Sequence, residues 1–442
     1  MAMVVKNNMS AISTLNTLNK NSSALAKSLE KVSSGMKINS AADDASGYAI
    51  SERMRVQIRS LDQANANTQA GNSMMKVAEG AVSSTVDILK TLKEKVINAA
   101  NDTNTDDDRA TIQKELNQSI DQIDDNANVT YNGKYLVDGS KNTVGTFTCT
   151  AMTNQMLNTA TKAADALTIL SNANGESLEI LSTDKVSVSY THQGKTYSTV
   201  MSVGSYALND LASAAYTAGT KAGDTGVSFK FNTATNSIIG TAASGATVYT
   251  ANGNSALTLQ SKCSGIAGQI AGFSIRITDK EGNVKKSANA ALDAFSEQIK
   301  AQNKSEDNAL TFQVGAKANQ SIKVGLGDMR SEALGLKGSD GTKLNISTQE
   351  KANAAISVLD NAVQKALDQQ TTIGSVESRL NYTSTNLTTA SENVQASEST
   401  IRDADMAKEM TNYTKNNVLL QAAQSMLAQA NQSSSSVLSL LQ

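Results

Sequence analysis

Residues 11–36 read AISTLNTLNKNSSALAKSLEKVSSGM, and residues 425–442 read SMLAQANQSSSSVLSLLQ. Apolar residues in both regions recur at alternating steps of four and three, which is the a/d pattern of a coiled-coil seam. Two such stripes at opposite ends of one chain bury apolar surface only by meeting, so we expect the chain ends to pair. The predicted seam consists of Leu15, Leu18, Leu25, Leu29, Val32, Met36, Leu420, Ala423, Leu427, Ala430, Val437 and Leu441.

A second pair of seams follows the same alternation further inside the chain and predicts long helices there as well. Together with the strand-rich middle described below, these patterns predict a mainly α protein with an α+β insertion. The inner seam consists of Ile50, Met54, Leu61, Met75, Val82, Leu89, Leu92, Val96, Leu380, Leu387, Val394 and Ile401.

Composition excludes several classes of protein. The 442 residues carry a formal net charge of -2, which indicates neither a nucleic-acid partner nor an anionic membrane partner. No apolar run approaches the ~20 residues of a membrane span. The first residues, MAMVVKNNMS, do not read as a cleavable signal peptide.

Proline is absent, although average usage predicts on the order of twenty in a chain of this length. Proline interrupts helix interiors, so its absence suits long unbroken helices. It also removes slow X-Pro isomerisation, which favours a chain that must refold quickly.

Residues 141–309 differ in character, because Thr, Ser, Gly and Ala dominate and apolar residues alternate in short runs. This pattern predicts hairpins at 185–203, 226–242 and 272–287, with helices at 206–218 and 288–302. A further hairpin is predicted at 310–327, outside this segment.

Residues with catalytic or metal-binding chemistry are few, and we expect no catalytic, cofactor or metal site. His192 is interpreted as a solvated turn residue, and Gly325 and Gly327 as turn glycines of a hairpin. Asp43 and Asp44 favour helix capping over acid–base catalysis. The run from Thr105 to Arg109 is interpreted as a solvated acidic turn. The only cysteines, Cys149 and Cys263, fit either a disulfide or two separate thiols.

Several longer motifs resemble those of bacterial flagellins, the family of flagellar filament subunits. They are SLEKVSSGMKINSAADDASGYAISERM (28–54), VAEGAVSSTVDILKTLKEKVINAAND (77–102), LTFQVGAKANQSIKVGLGDMRSEALGL (310–336), IRDADMA (401–407) and SMLAQANQ (425–432).

The resemblance implies an elongated subunit with three parts. Residues 1–45 and 405–442 would form a coiled coil in the inner tube of the filament, and residues 46–140 and 310–404 a helical rod domain. Residues 141–309 would form the variable, surface-exposed outer insertion.

The resemblance also implies partners. The chain would polymerise with itself in the extracellular filament, contact flagellar cap and hook-associated proteins, and leave the cell unfolded through the flagellar type III apparatus. An export chaperone would bind the carboxyl arm.

A further implied partner is Toll-like receptor 5, through Leu89, Lys93, Glu94 and Glu115. Thr91 stands where strongly detected relatives carry an arginine, and Lys95 replaces a leucine in the same motif. The sequence therefore predicts weak activation of this receptor.

Two alternatives remain from the sequence. The hook–filament junction protein belongs to the same superfamily and shares the terminal helices, although residues 425–442 favour flagellin. A secreted adhesin or hydrolase borne on the insertion would need a polar constellation or an aromatic platform, and the sequence displays neither.

Overall fold

The computed structural model describes residues 8–143, 145–222, 228–233, 237–250, 253–305 and 308–439, with side chains described to Ser433. The chain divides into two compact units. The first comprises residues 1–68, 313–320 and 382–442, and the second residues 69–312 and 321–381. The sequence-based boundaries at residues 45 and 404 therefore both lie inside the first unit.

The first unit contains α1 (Met9–Ser34), α7 (Met406–Ser439), the beginning of α2 (Ala45–Ala99) and the end of α6 (Gln349–Arg402). Asn8 caps α1 by accepting the Ala11 N–H, and Gly35 ends it at a φ of 70°. Helices α1 and α7 run antiparallel, because Asn8 binds the Ala430 carbonyl while Met36 pairs with Asp403.

The capping interpretation is confirmed for Asp44 at the start of α2, whereas Asp43 binds the connection before the helix. Asp44 Oδ1 accepts the backbone N–H groups of Ser46 and Gly47, and Asp43 accepts those of Asn39 and Ser40. Those bonds, the Ser40 bond first, hold the pKa of Asp43 below its ordinary value. Asp44 thus satisfies orphan N–H groups in the first turn of α2, and Asp43 fixes the turn that precedes it.

The second unit packs the remainder of α2 and α6 with α3 (Asp106–Ala127). Thr105 and Asp108 form a reciprocal capping box, so the acidic turn predicted there is the first turn of α3. Arg109 is buried and donates to the carbonyls of Ala99 and Asn101, which joins the start of α3 to the end of α2.

All strands in the described residues except the last residue of β12 belong to the second unit, in three short pairs and two larger sheets. The larger sheets have the strand orders β10-β4-β5 and β11-β3-β9-β6, and the pairs are β1-β2, β7-β8 and β12-β13. The strands are β1 (Thr130–Tyr131), β2 (Lys134–Tyr135), β3 (Ala151–Asn154), β4 (Lys185–His192), β5 (Lys195–Ser202), β6 (Phe229–Thr233), β7 (Ile238–Thr241), β8 (Thr247–Tyr249), β9 (Leu257–Ser261), β10 (Ile270–Thr278), β11 (Phe295–Ile299), β12 (Leu310–Gln313) and β13 (Ser321–Val324).

The predicted hairpins have mixed outcomes. The hairpin at 185–203 is confirmed as β4 and β5, joined by Gln193 and Gly194 at φ values of 48° and 71°. The hairpin at 310–327 is confirmed as β12 and β13. The hairpin at 226–242 is wrong, because β6 pairs with β9 and β7 pairs with β8.

The hairpin at 272–287 is confirmed only at its tip, where Thr278 pairs antiparallel with Val284, because the rest of β10 pairs along β4 and a helix follows. The predicted helices are α4 (Leu208–Lys221), which is confirmed, and α5 (Lys286–Leu292), which is shorter than expected. Residues 295–299 form strand β11 instead, because pairing with β3 outweighs their helical pattern.

The insertion has a core of its own, with aromatic rings at its centre. Phe273 lies 5.3 to 6.0 Å, between ring centroids, from Phe229, Phe231 and Phe295. Aliphatic residues from both sheets and from α4 surround these rings. The mainly α fold with a central strand-rich insertion is confirmed.

Candidate assembly surface

The contact between α1 and α7 uses only part of the predicted seam. Half-buried or buried positions on α1 recur at Ala11, Leu18, Leu25 and Val32, one per heptad. Between them the covered residues are polar at positions 14, 21, 28 and 31, and small at Ala24. The helix pair is therefore a partly polar contact with few large apolar side chains.

Leu15 and Leu29 are 45% and 52% exposed in the single chain, so they lie outside the α1/α7 contact. The prediction stepped by four and then three from Ala11, whereas the covered face steps by three and then four. Asn21 donates to the Leu419 carbonyl at 3.3 Å, and Ser28 accepts from Asn416 at 3.1 Å. These hydrogen bonds satisfy polar groups inside the contact.

On α7 the predicted positions do lie on the covered side. Ala423 is buried, and Leu420, Leu427 and Ala430 are half-buried. The side chain of Val437 and the whole of Leu441 lie outside the described residues. Because alanine side chains are small, the two helix backbones can approach closely, and the contact buries little apolar side-chain area.

Large apolar side chains line the outside of this helix pair. Contiguous exposed apolar surface usually marks an interaction site. A helix pair of this kind can bury more apolar area only against further copies or partners. The exposed residues are Met9, Ile12, Leu15, Leu29, Met406, Met410, Val418, Leu419 and Met426.

A buried arginine joins the α1–α2 connection to the end of α6. Arg402 Nη1 lies 2.6 Å from Glu52 Oε1, its Nε donates to the Met36 sulfur, and its guanidinium carbon lies 5.5 Å from the Tyr48 ring centre. Arg402 also holds the pKa of Glu52 below its ordinary value.

The backbone completes the same junction, since the Lys37 N–H donates to the Arg402 carbonyl and the Ala404 N–H to the Gly35 carbonyl. Sequence analysis missed the role of Arg402, although it lies within the IRDADMA motif.

The inner seam lies mostly in the interior. Ile50, Met54, Val394 and Ile401 are half-buried. In the first unit Leu61 and Leu387 form a small cluster with Ala64, supported by the hydrogen bond from Ser384 to Asn65. The buried members are Leu61, Met75, Val82, Leu89, Leu92, Val96, Leu380 and Leu387.

The four predicted receptor residues differ in accessibility. Leu89 is fully buried, so it cannot contact a receptor in the folded chain, and the sequence expectation is corrected there. Lys93 pairs with Asp360, and Glu115 pairs with Lys95 at 3.1 Å. Glu94 is exposed.

Other singled-out residues have structural roles. His192 is buried at the end of β4, and its Nε2 lies 2.8 Å from the Ala267 carbonyl oxygen, so the solvated-turn interpretation is wrong. Gly325 and Gly327 follow β13 and are not turn glycines. A side chain at Gly325 would meet Thr143 Oγ1 at 2.6 Å, so glycine permits close packing.

Buried charges in the second unit were not foreseen. Lys365 is buried and donates to the Ala333 carbonyl at 2.6 Å. Burial raises the pKa of Glu297 to about 7, against the opposing charges of Lys365 and Lys300. No sequence signal marked these residues, because nothing local distinguishes a buried lysine from a solvated one.

The described residues include no group of three or more His, Cys, Asp or Glu side chains placed to hold a metal ion. Among the same residues no helix has the length and hydropathy needed to cross a membrane.

Both ends of the chain match models of known protein families. Residues 5–142 match the bacterial flagellin N-terminal helical region, and residues 356–441 match the bacterial flagellin C-terminal helical region. The flagellin of Clostridium tyrobutyricum is 36% identical over 431 residues, covering 97% of this chain and 99% of that protein. The flagellin of Bacillus subtilis (strain 168) is 30% identical over 460 residues, covering 99% and 100%.

Among solved structures, the flagellar hook associated protein-3 of Legionella pneumophila aligns with a TM-score of 0.33 at 13% identity. The alignment covers 78% of this chain and 97% of that one.

Proposed function

Because the chain belongs to the bacterial flagellin family, we propose that it is a structural subunit of the extracellular flagellar filament that polymerises through its two terminal helices. The observation that carries this proposal is the exposed apolar surface on both members of the α1/α7 pair. Four of its residues, Leu15, Leu29, Val418 and Met426, are between 45% and 63% exposed. Burying them against neighbouring copies would be a large favourable term in polymerisation.

The polar residues inside the α1/α7 contact support the same proposal. Asn21 and Ser28 reduce the apolar area that the pair buries on its own. We infer that the pair is weak in the free subunit and ordered by assembly, as in coupled folding and binding. Residues 1–45 and 405–442 would then form the inner tube, and 46–140 and 310–404 the rod domain around it.

The test compares matched exposed leucines in the two units. Leu29→Asp changes α1, and Leu181→Asp changes an insertion residue that is 59% exposed. Purified monomer would be mixed with sheared filament seeds, and polymer would be measured by sedimentation and electron microscopy. We expect Leu29→Asp to reduce polymer mass at least about tenfold and Leu181→Asp to leave it unchanged.

Deletion of residues 420–442 should abolish elongation altogether. Equal polymer from Leu29→Asp and the unchanged chain would contradict the proposal. Elongation of the seeds by the unchanged chain would also distinguish a filament subunit from a junction protein, since a junction protein would not elongate seeds into long filaments.

We further propose that the chain is exported unfolded through the flagellar type III apparatus, contributes to motility, and binds an export chaperone through α7. The absence of proline and the exposed Met406, Met410 and Met426 support this route. Isothermal titration of a flagellin export chaperone against the full chain and against the chain lacking 405–442 tests it. Binding only to the full chain is expected, and equal binding would contradict the proposal.

Flagellar cap and hook-associated proteins are proposed to contact the same terminal helices.

Weak activation of Toll-like receptor 5 remains a proposal through Lys93, Glu94 and Glu115. Thr91 is exposed on α2, and its hydroxyl donates to the Asp87 carbonyl at 3.0 Å. Replacing Thr91 by arginine should raise the response of receptor-bearing reporter cells at equal protein concentration. An unchanged response would show that position 91 does not limit recognition.

A further inference from the structure

The two cysteines lie on facing backbone segments of the insertion. Cys149 precedes β3, Cys263 follows β9, and these strands pair antiparallel with Ala151 opposite Gln260. The pairing continues beyond the strands, because the Ser261 N–H donates to the Thr150 carbonyl at 3.0 Å. The Gly265 N–H then donates to the Thr148 carbonyl at 2.9 Å.

These two hydrogen bonds bracket both cysteines. Cys149 is the residue between the two acceptors, and Cys263 is the middle residue between the two donors. Residues 261–265 therefore turn past Cys149 with Cys263 at the centre of the turn. Backbone segments joined in this way are direct neighbours, which is the backbone arrangement that a disulfide requires.

The turn itself is fixed by hydrogen bonds and glycine. The Cys263 N–H donates to Ser261 Oγ at 3.2 Å, and Ser261 Oγ donates to the Gly268 carbonyl at 3.0 Å. Gly265 adopts a φ of 84°, which a residue with a side chain would rarely adopt. A Cβ at Gly268 would lie 2.5 Å from the Cys263 Cβ, so glycine leaves room for the cysteine.

The thiols are free in this structure and half-buried. Burial raises the pKa of the Cys149 thiol, and the neighbouring Cys263 raises it further. The second effect is consistent with two sulfur atoms that lie near each other.

We propose that Cys149 and Cys263 form a thiol–disulfide site that closes to an intrachain disulfide when the folded chain meets a low-molecular-weight disulfide. One cysteine thiolate attacks a sulfur of the reagent, which gives a mixed disulfide and one released thiol. The second cysteine thiolate attacks the protein sulfur of that mixed disulfide and releases the second thiol. The two electrons lost by the protein and its two protons appear on the two released thiols.

The bond would close a large loop. The cysteines are 263 − 149 = 114 positions apart in the sequence, so the cross-link would span most of the insertion. Constraining so long a loop restricts the unfolded chain, and the insertion should become harder to unfold.

The test treats the full-length folded monomer with oxidised glutathione, blocks remaining thiols by alkylation and identifies linked peptides by mass spectrometry. We expect a single linkage between Cys149 and Cys263, faster migration of the closed chain in a non-reducing denaturing gel and a higher urea midpoint than for the reduced chain. Cys149→Ser and Cys263→Ser should each abolish all three effects.

A matched control keeps two cysteines in the same sheet but separates them by one more strand. Lys230 is exposed on β6, and strand β9 separates β6 from β3. The double variant Lys230→Cys with Cys263→Ser therefore shifts the second thiol to a surface position one strand further from Cys149, beyond the backbone separation that a disulfide can bridge. Its intrachain disulfide should form at least about tenfold more slowly.

Three outcomes would overturn the proposal. They are two stable glutathione adducts on one chain, linkages only between chains, and equal closing rates for the parent and the shifted pair. The site is independent of polymerisation, so these results can be read on a chain that never assembles.

Discussion

The α1/α7 pair and the strand-rich insertion differ in the burial of their large apolar side chains. In the insertion Tyr190, Phe229 and Phe273 are buried among one another and among aliphatic residues. In α1 the one buried residue is Ser28, while Leu15 and Leu29 face outward. The insertion completes its core within one chain, whereas the terminal helices leave apolar surface for other chains.

The largest effect is expected from a mutation in the aromatic core of the insertion. Phe273→Ala removes a side chain that is 2% exposed and contacts three other rings, so it should cost about 3–5 kcal/mol of unfolding free energy. Urea unfolding followed by near-ultraviolet circular dichroism of the tyrosines measures it. Val200→Ala, at a position 58% exposed, should stay within about 0.5 kcal/mol. Similar costs at both positions would contradict the description of the core.

The second prediction concerns pH and the buried charge of the insertion. Glu297 is half-buried, but its Oε1 atom is enclosed and has no hydrogen-bond partner. Its pKa is about 7 in the folded chain, against an ordinary value of 4.5. The folded state therefore binds more protons between these values, and Glu297 reduces stability progressively as pH rises through that window.

Glu297→Gln should remove this penalty, raising the unfolding free energy by about 2–3 kcal/mol at pH 8 and by almost nothing at pH 4. Urea midpoints of both proteins across this range give the difference curve. Lys365, Lys300 and Asp368 act on the same carboxyl and are present in both proteins. A constant difference at all pH values would refute the assignment.

The third prediction addresses the junction beside the terminal helices. Arg402→Gln removes an ion pair and an aromatic contact from a side chain that is 7% exposed, and should cost about 1–2 kcal/mol locally. Hydrogen exchange of residues 35–44 and 403–409 should accelerate accordingly. Arg55→Gln is the matched control, because Arg55 pairs with the same Glu52 at 3.2 Å but is 44% exposed. Equal acceleration by both would show that burial at Arg402 is unimportant.

The smallest effect is expected from a mutation on the exposed apolar side of α1. Leu29→Ala should change the monomer by less than about 0.5 kcal/mol, whereas Leu25→Ala, on the covered face of α1, should cost more. Hydrogen exchange within residues 9–34 of the monomer measures both. A larger cost at Leu29 than at Leu25 would mean that the single chain already covers the Leu29 side, and the comparison between the two regions would fail.

Sequence reasoning succeeded wherever the controlling pattern was local. Apolar periodicity predicted the long helices, and apolar alternation predicted the β4–β5 hairpin at 185–203, because both patterns depend on neighbouring residues. It failed for β6 and β11, whose partners β9 and β3 are distant in the chain. Strand pairing of that kind depends on tertiary context.

The candidate surface shows the same division within a single helix. The sequence by itself determined that the chain ends are helices with an apolar stripe and belong to the flagellin family, since heptad spacing and the order of motifs can be read directly from the sequence. Only the tertiary structure decided which stripe is covered, because a rotation of one residue about the helix axis exchanges Leu15 and Leu29 for Thr14 and Ser28. It also brought Cys149 and Cys263 together, buried His192, and enclosed Glu297 near Lys365, because each depends on which distant segments pack against it.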